Sequence, residues 1–305
     1  MMRQVCFGAD IGGTTVKLGL VSQEGELLER QEFPTRRDLG AAFDDIAAHI
    51  RQMMDHFPDE HYIGVGVGVP GPVVGQALVR GCVNLGWGDV DAAQELGRRV
   101  GLSVRAENDA NLATLGEQWQ GAGKGCRNVV MFTVGTGVGG GVICGGRIVS
   151  GATGGGGEVG HLPLSFRPDL QCSCGKYGCL EVTASASGII RVAREHSPFK
   201  EMEEVTAKDV YDAAAAGDEN AKRVVDEAGS ALGVAAAIVG CVVNPEMILL
   251  GGGVSAAGRA LLDPVEAAFR KNVFAPCGDV RFAQAKLGNN AGIYGGAALF
   301  FTQED

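Results

Sequence analysis

The sequence contains little positive charge and no cluster of basic residues. Lysine and arginine together number 26, against 36 aspartate and glutamate residues, so the net charge is −10 and the pI about 5.1. Without a basic stripe, nucleic acid and anionic membrane are poor candidates for partners. No apolar run reaches the length of a membrane span, and the N-terminus lacks the apolar region of a secretory signal. We therefore expect a cytoplasmic protein.

The sequence also lacks the G-x-x-x-x-G-K-[ST] phosphate loop. Gly135, Gly137 and Gly140 fit G-x-G-x-x-G, but the β-branched, turn-broken segment "GVICGGRIV" follows where a dinucleotide fold requires a helix. Glycine, in contrast, is abundant, with 49 residues that cluster at the ends of predicted strands. This clustering indicates many places where two backbone segments pack closely together, rather than disorder.

Two segments of the chain share one plan. Both "FGADIGGTTVKLGLVSQEGELL" and "MFTVGTGVGGGVICGGRIV" read as an apolar strand, a Gly/Thr loop, a second apolar strand, a turn and a third strand. The repeat predicts two similar lobes that face each other. Strands that alternate with helices predict a mixed α/β fold. In the C-terminal half, apolar spacing predicts helices at 183–196, 206–215, 219–243 and 257–271.

The paired Gly/Thr loops suggest a phosphate site. Backbone N–H groups exposed by glycine, together with threonine hydroxyls, can bind phosphate oxygens without cationic side chains. Asp10, at the end of the first strand, could hold a magnesium ion through water. A third glycine run, "ILLGGGVSAAG", follows a strand and could approach a flat ligand, with Ser255 as a possible helix N-cap.

The nine cysteines fall into two groups. Six occur singly among apolar residues and are expected to be buried, reduced thiols: Cys6, Cys82, Cys126, Cys144, Cys241 and Cys277. The other three follow a histidine in the pattern His161-x10-Cys172-x-Cys174-x4-Cys179. Three thiolates and one imidazole complete a closed tetrahedral zinc shell, which predicts a structural ion. The alternatives are a redox pair, although C-x-C is not the usual C-x-x-C spacing, or three reduced surface thiols.

Polar residues lie on both sides of the predicted metal loop and at a predicted helix start. Glu158 and Glu181 flank the loop, and with His161 they would form a polar rim suited to vicinal hydroxyls, as on a hexose. Asn108 and Asp109 stand where a strand meets a helix. Either residue could cap the helix, and Asp109 could instead act as a general base towards a sugar hydroxyl. From this stretch alone, capping is favoured.

Several motifs in order resemble those of the ROK family of bacterial sugar kinases, particularly its glucokinases. They run from about residue 5 to about 300 and read "DIGGTTVK", "GVPGPV", "NLGW", "ENDAN", "GTGVGGG", "GEVGH", "CSCGKYGCLE" and "GGGVS". The resemblance implies an actin-like ATPase (ribonuclease-H-like) α/β fold with two lobes around a central cleft. We expect residues 1–120 and 290–305 to form the small lobe and 121–289 the large lobe with the zinc loop.

The resemblance also implies roles for individual residues. Asp109 would be the catalytic base. The sugar would be contacted by Gly71, Asn84, Asn108, Asp109, Glu158, His161 and Glu181. ATP with Mg²⁺ would be held by Asp10, Gly12, Gly13, Thr14, Thr136 and Gly137, with adenosine packed on Gly252 and Gly253. Zinc would be bound by His161, Cys172, Cys174 and Cys179.

These expectations add up to an ATP-dependent glucokinase that phosphorylates the 6-hydroxyl of glucose. The main alternative is a kinase for N-acetylmannosamine, N-acetylglucosamine, mannose, allose or fructose, because such enzymes share nearly all of these motifs. A sugar-responsive repressor is disfavoured, since only about nine residues precede Asp10 and leave no space there for a DNA-binding domain. A non-catalytic sugar-binding protein is disfavoured by the intact Asp109 and by both phosphate loops. The family resemblance implies a homodimer or homotetramer.

Overall fold

The computed structural model describes residues 2–82 and 84–303. These residues form two compact units. Unit 1 comprises the described residues within Met1–Arg127, Gly141–Gly157 and Lys286–Asp305, and unit 2 comprises Asn128–Gly140 and Glu158–Ala285. The chain therefore crosses between the units several times, and one crossing lies directly before Glu158.

The strands and helices alternate along much of the chain. The strands are β1 (Gln4–Ile11), β2 (Thr15–Ser22), β3 (Leu27–Pro34), β4 (His61–Val69), β5 (Val73–Val74), β6 (Leu78–Val79), β7 (Val90–Asp91), β8 (Val104–Asn108), β9 (Val129–Val134), β10 (Val138–Cys144), β11 (Arg147–Ile148), β12 (Met247–Gly251) and β13 (Arg281–Gln284). The helices are α1 (Leu39–His56), α2 (Ala92–Val100), α3 (Asp109–Gln120), α4 (Leu180–Ala184), α5 (Ala186–Ala193), α6 (Ala207–Ala215), α7 (Glu219–Val243), α8 (Arg259–Asn272) and α9 (Ala291–Phe301).

The first sheet, in unit 1, has the strand order β3-β2-β1-β4-β8. β1 pairs antiparallel with β2 and parallel with β4, and β4 pairs parallel with β8. Val69 and Asn108, the last residues of β4 and β8, are register partners at the carboxyl ends of these parallel strands. Asp109, the catalytic base that the family resemblance implies, follows directly after Asn108.

The second sheet has the order β11-β10-β9-β12-β13. β12 pairs parallel with both β9 and β13, and β10 and β11 form an antiparallel hairpin. The two sheets therefore follow the same topology, which confirms the prediction that the two segments share one plan. The hairpin after Gly140 also confirms that G-x-G-x-x-G does not mark a dinucleotide fold here. A small third sheet has the order β5-β6-β7.

Helix α9 packs so closely on the first sheet that the backbones of helix and strands are in contact. A Cβ on Gly8 of β1 would lie 1.9 Å from the carbonyl oxygen of Ile293, and one on Gly66 of β4 would lie 2.0 Å from that of Gly296. No side chain fits in such a gap, so both strands need glycine at these positions. These contacts confirm the close backbone approaches that the glycine content predicts.

Apolar residues at helical spacing pack α1 on the face of the first sheet opposite to α9. Phe43, Ile46, Ile50 and Met53 are all fully buried. Burial of a large apolar side chain contributes roughly 1.5–3 kcal/mol, so this face accounts for the docking of the helix. Asp38 caps the helix, because its side chain accepts a hydrogen bond from the backbone N–H of Ala41 at 2.8 Å.

Helix α7 is long and apolar enough to cross a membrane by length and composition. It runs for 25 residues, but 67% of its most apolar window is buried inside the protein. A mostly buried core helix meets the same criteria, and the burial of α7 explains its apolar composition.

Two local predictions are wrong. The helix expected at 183–196 is divided into α4 and α5, because Ser185 leaves the helical region and its side chain caps α5 by accepting from the N–H of Gly188 at 3.0 Å. Ser255 does not cap a helix. It lies inside a short 3-10 turn at Gly253–Ala257 and donates to the carbonyl of Gly252, and α8 begins only after Gly258.

The prediction that all six single cysteines are buried is also corrected. Cys6, Cys82 and Cys126 are buried, but Cys144 and Cys241 are exposed and Cys277 is half-buried. Cys144 ends a hairpin strand and Cys241 lies on the exposed side of the end of α7. An apolar sequence neighbourhood did not distinguish these positions, because exposure there depends on which face of the element the residue occupies.

Candidate functional site

The predicted metal ligands come together in unit 2. The ligand atoms of His161, Cys172, Cys174 and Cys179 all lie within 4.8 Å of one another. His161 ends a 3-10 turn that begins at Val159, and Cys179 stands immediately before α4. Between the cysteines the chain folds back, because the N–H of Cys172 donates to the carbonyl of Lys176 at 2.8 Å. The loop is therefore preformed around the four ligands.

The spacing of these atoms fits a tetrahedral zinc ion. With Zn–S near 2.3 Å and Zn–N near 2.0–2.1 Å, a regular tetrahedron has S–S edges of about 3.8 Å and S–N edges of about 3.6 Å. The sulfurs of Cys174 and Cys179 are 3.7 Å apart, and Nδ1 of His161 is 3.6 Å from the sulfur of Cys172. Two edges of the cluster thus have the lengths that zinc requires, so the residues fit the ion.

The cysteines of the cluster differ in their electrostatic surroundings. Burial raises the pKa of Cys179 to about 12, and hydrogen bonds with Cys174 and Cys172 act in the same direction. A backbone hydrogen bond from Lys176 lowers the pKa of the exposed Cys174. Because thiolates are the metal-binding form, a cation that binds here must displace the proton of Cys179.

Both glutamates expected at the sugar lie against this cluster. Oε2 of Glu158 is 4.0 Å from Nε2 of His161, the ring nitrogen that does not face Cys172. Oε1 of Glu181 lies 3.6 Å from the sulfur of Cys172, and Oε2 accepts a hydrogen bond from the N–H of Val138 at 3.1 Å. One imidazole and two carboxylates therefore lie together at this cluster, and their contact with a sugar stays a prediction.

A second cluster, in unit 1, surrounds the start of α3. Asn108 is the N-cap of the helix, since its Oδ1 accepts from the N–H groups of Ala110 and Asn111 at 2.9 and 3.1 Å. Asp109 is the first helical residue and is half-buried. Asn108 rather than Asp109 thus occupies the N-cap position, and Oδ1 of Asp109 also accepts the N–H of Ala110 at 2.8 Å. Nδ2 of Asn108 donates to the carbonyl of Gly71 at 3.3 Å, so these two predicted residues are in contact.

Sequence reasoning missed two residues beneath this cluster. Glu107 is 1% exposed. Its carboxylate accepts from the N–H of Asn108 at 2.9 Å, from Nδ2 of Asn111 at 3.1 Å and from the hydroxyl of Ser150 at 2.8 Å. A charged residue just before the Asn-Asp pair was the available signal for Glu107. Ser150 is distant in sequence and gave none.

The first Gly/Thr loop joins β1 to β2. Thr35 holds the loop from outside, because its hydroxyl donates to the carbonyl of Gly12 at 2.8 Å and its N–H to that of Thr14 at 2.9 Å. A Cβ on Gly13 would meet no atom within 4 Å. Packing therefore does not require glycine at position 13, and the backbone there is open to an approaching group.

Asp10 lies at the base of this loop, below the start of α9. A Cβ on Gly292 would lie 2.7 Å from its Cγ, so the helix presses closely on the carboxylate. Burial raises the pKa of Asp10, and the nearby ammonium of Lys17 acts in the opposite direction. A partly desolvated carboxylate at this position suits an outer ligand to a hydrated magnesium ion.

The second Gly/Thr loop, in unit 2, is not equivalent to the first. A Cβ on Gly137 would lie 2.2 Å from Oε2 of Glu181, so this glycine makes room for the glutamate. Thr136 and Gly253 instead line a cavity of about 560 Å³ whose other walls include Ala207, Tyr211 and Ala257. Gly252 lies behind the cavity at φ +80°, with its Cβ position 2.5 Å from the carbonyl of Val134.

Comparison with known proteins identifies the family. A profile of the ROK family matches residues 6–303. The chain belongs to the ROK family. It is 40% identical to a glucokinase from Halalkalibacterium halodurans, over 98% of this chain and 95% of the relative. It is 31% identical to an N-acetyl-D-glucosamine kinase from Haemophilus influenzae, over 97% of this chain and 99% of the relative.

Solved structures agree with this assignment. A ROK-family glucokinase from Streptomyces griseus, in complex with glucose and AMPPNP, matches with a TM-score of 0.78 and 31% identity, over 97% of this chain and 98% of that one. This chain has the actin-like ATPase fold. Its two five-stranded sheets have matching strand orders, as that fold requires.

In this ROK protein the residues expected at the sugar are divided between the two units. Unit 1 carries Gly71, Asn84, Asn108 and Asp109, and unit 2 carries Glu158, His161 and Glu181. Asn84 is exposed in a turn between Cys82 and Trp87. In unit 1 Asn108, which precedes Asp109, contacts Gly71, and in unit 2 His161 lies 4.0 Å from Glu158.

Proposed function

We propose that the protein transfers the terminal phosphoryl group of ATP to the 6-hydroxyl of glucose, with Asp109 as the general base. The observation that carries the proposal is the placement of Asp109. It is the first residue of α3, next to an N-cap that is already satisfied by Asn108. The similarity to glucokinases over nearly the whole chain supports the substrate.

Asp109 would accept the hydroxyl proton as the phosphoryl group arrives. One of its carboxylate oxygens, Oδ1, accepts the N–H of Ala110 at 2.8 Å, which fixes the orientation of the carboxylate. Glu107 holds the backbone of Asn108 from below, so Asp109 is presented from a rigid strand end. Phosphoryl transfer is promoted mainly by such positioning and by electrostatic stabilisation of the transferring group.

The polar rim of unit 2 would select the sugar. Glu158 and Glu181 can accept hydrogen bonds from vicinal hydroxyls, and His161 can donate through Nε2 if Nδ1 is used for the metal. His161, Cys172, Cys174 and Cys179 would hold zinc, which supplies a fixed scaffold and no open coordination position.

ATP would be bound by the two Gly/Thr loops and the cavity of unit 2. Gly12, Gly13, Thr14, Thr136 and Gly137 are the proposed phosphate contacts, and Gly252 and Gly253 the proposed adenosine contacts. Asp10 would hold Mg²⁺ through water, and the ion would neutralise charge on the phosphates.

Replacement of Asp109 by Asn tests the proposal. We expect glucose binding to be kept and kcat to fall by roughly 10²–10⁴-fold, the usual contribution of one positioned base. Asp91→Asn is the matched control. Asp91 stands at the start of α2 in unit 1 and caps it by accepting the N–H of Gln94, a role that Asn fills equally well. Near-native turnover of Asp109→Asn in a coupled assay would refute the role of Asp109.

A kinase for N-acetylglucosamine is the second candidate, supported by the relative from Haemophilus influenzae. An assay of the purified protein with ATP and Mg²⁺ against a panel of hexoses and N-acetylhexosamines separates the two. The larger kcat/KM identifies the substrate. We further propose a homodimer or homotetramer, which light scattering of the purified chain measures directly.

A further inference from the structure

Two cysteines of the metal cluster are also placed for a reaction with each other. The sulfurs of Cys174 and Cys179 are 3.7 Å apart. Cys174 is exposed to solvent, whereas Cys179 is buried. The sulfurs of a disulfide are about 2.05 Å apart, so these two atoms need to approach each other by about 1.7 Å. The pair therefore joins an accessible thiol to a protected one at short range.

The chain around Cys174 permits this approach. Residues 173–177 are all exposed, and Cys174 lies in a turn rather than in a helix or strand. The backbone bends at Gly175, where φ is +84°. The turn is closed by the N–H of Cys172, which donates to the carbonyl of Lys176. Rotation about the Cα–Cβ bond of Cys174 can thus move its sulfur while the packed part of the loop stays in place.

Cys172 is a poorer partner for the exposed thiol. It is buried, and its sulfur lies 3.6 Å from Nδ1 of His161 and 3.6 Å from Oε1 of Glu181. These contacts hold the Cys172 side chain among the polar groups of the cluster. The redox pair that the sequence leaves open is therefore not the C-x-C pair but the C-x4-C pair of Cys174 and Cys179.

We propose that Cys174 and Cys179 form a site of reversible oxidation by hydrogen peroxide. An exposed cysteine with a second thiol beside it is the usual arrangement of a redox-sensitive site. In the metal-free protein, one peroxide oxygen converts the Cys174 thiol to a sulfenic acid and the other leaves as water. The Cys179 thiol then attacks that sulfur, and a disulfide forms with loss of a second water. From the zinc-loaded protein, where both sulfurs are thiolates, the same two-electron oxidation gives the disulfide, two hydroxide ions and free Zn²⁺.

The disulfide would disturb both the metal site and the sugar residues. It consumes two of the four proposed ligands, and a structural zinc site depends on its closed shell of four. Cys179 stands immediately before α4, and Glu181 is the second residue of that helix. Movement of Cys179 towards Cys174 therefore shifts a proposed sugar contact. This consequence rests on the proposed function, whereas formation of the disulfide does not.

The experiment maps cysteine links and does not depend on enzyme activity. The purified chain, either loaded with zinc or stripped of it by a chelator, is treated with hydrogen peroxide, alkylated and digested for mass spectrometry. We expect a link between Cys174 and Cys179 in both samples and the loss of about two free thiols per chain. The loaded sample should release about one zinc ion per chain. A dithiol reductant should restore the thiols.

Two variants separate oxidation from metal binding. Cys174→His supplies a nitrogen ligand for zinc at an exposed position but no sulfur for a disulfide, so it should bind zinc and keep it in peroxide. Cys144→Ser is the matched control, because it removes an exposed single cysteine outside the cluster and should form the same link as the wild type. If Cys174→His binds no zinc, the link in the metal-free wild-type sample decides the question alone.

Three results would overturn the inference: oxidation of Cys174 to a sulfinic or sulfonic acid without a link, a link from Cys174 to Cys172 instead of Cys179, or zinc release from Cys174→His at the wild-type rate. Glucose affinity before and after oxidation is measured separately by calorimetry. Unchanged glucose affinity in the linked protein would contradict the proposed sugar contact of Glu181 and leave the disulfide established, so the two failures are distinguishable.

Discussion

Cys174 offers the clearest test of the metal cluster. It is exposed, whereas Cys172 and Cys179 are buried. Replacement of Cys174 by Ser therefore leaves the packing of the loop almost unchanged and removes one sulfur from the four-ligand set. Any change in metal content can then be attributed to coordination rather than to unfolding of the loop.

The size of the effect follows from the ligand count. A whole structural zinc site is worth about 10–16 kcal/mol. If four ligands share this equally, one ligand corresponds to roughly 10²- to 10³-fold in Kd. The two edges near tetrahedral length indicate that the site needs little rearrangement, so the full effect should appear.

The assay is zinc content by elemental analysis, followed by competition with a chelator of known affinity. We expect about one zinc ion per chain in the wild type, a weakened site in Cys174→Ser, and weaker glucose binding in the variant because His161 and Glu181 are no longer fixed. Cys144→Ser is the matched control, since Cys144 is an exposed single cysteine outside the cluster. Equal zinc content and equal chelator resistance in Cys174→Ser and the wild type would refute the ligand set.

Three further outcomes can be checked. Glu117→Gln should lower the free energy of unfolding by about 1–3 kcal/mol in urea titration, since the buried carboxylate accepts three backbone N–H groups; an unchanged midpoint would contradict this. Ser150→Ala removes a hydrogen bond to Glu107, which holds the backbone next to Asp109. The variant should therefore lower kcat for glucose by a larger factor than it changes KM, and a change in KM alone would argue against a link to Asp109. Gly13→Ala should keep the melting temperature but weaken the binding of ATP, because the space beside Gly13 is open. Gly8→Ala should instead lower the melting temperature by several degrees, because its Cβ would meet the backbone of α9. The reverse pattern would exclude a ligand role for Gly13.

The sequence predicted the features that local patterns encode. The repeated strand–loop–strand plan gave two sheets of matching order, because alternation and turn residues act over short distances. The clustering of His161 with the three cysteines was predictable for the same reason, since the cysteines lie within eight residues, and their role as zinc ligands stays a prediction. The role of Asp109 as a base was predicted only through the family resemblance and stays a prediction, because capping alone explains an Asn-Asp pair at a helix start.

The remaining features depend on contacts between distant residues. Glu107 and Ser150 are 43 positions apart, and neither carries a motif that predicts their hydrogen bond. Ser185 divides a helix that its apolar spacing predicts as continuous, since a serine favours capping over helical continuation where the backbone turns. The domain bounds expected from the sequence stay a prediction.

Glu181 shows why two loops with one sequence plan need not act alike. In unit 2 its carboxylate fills the space beside Gly137 and takes the N–H of Val138, so that amide is not available to phosphate. Its other oxygen lies 3.6 Å from the sulfur of Cys172 and accepts from the hydroxyl of Ser173 at 3.4 Å. The second loop is therefore tied through one carboxylate to the cysteine cluster, whereas the first loop is held by Thr35.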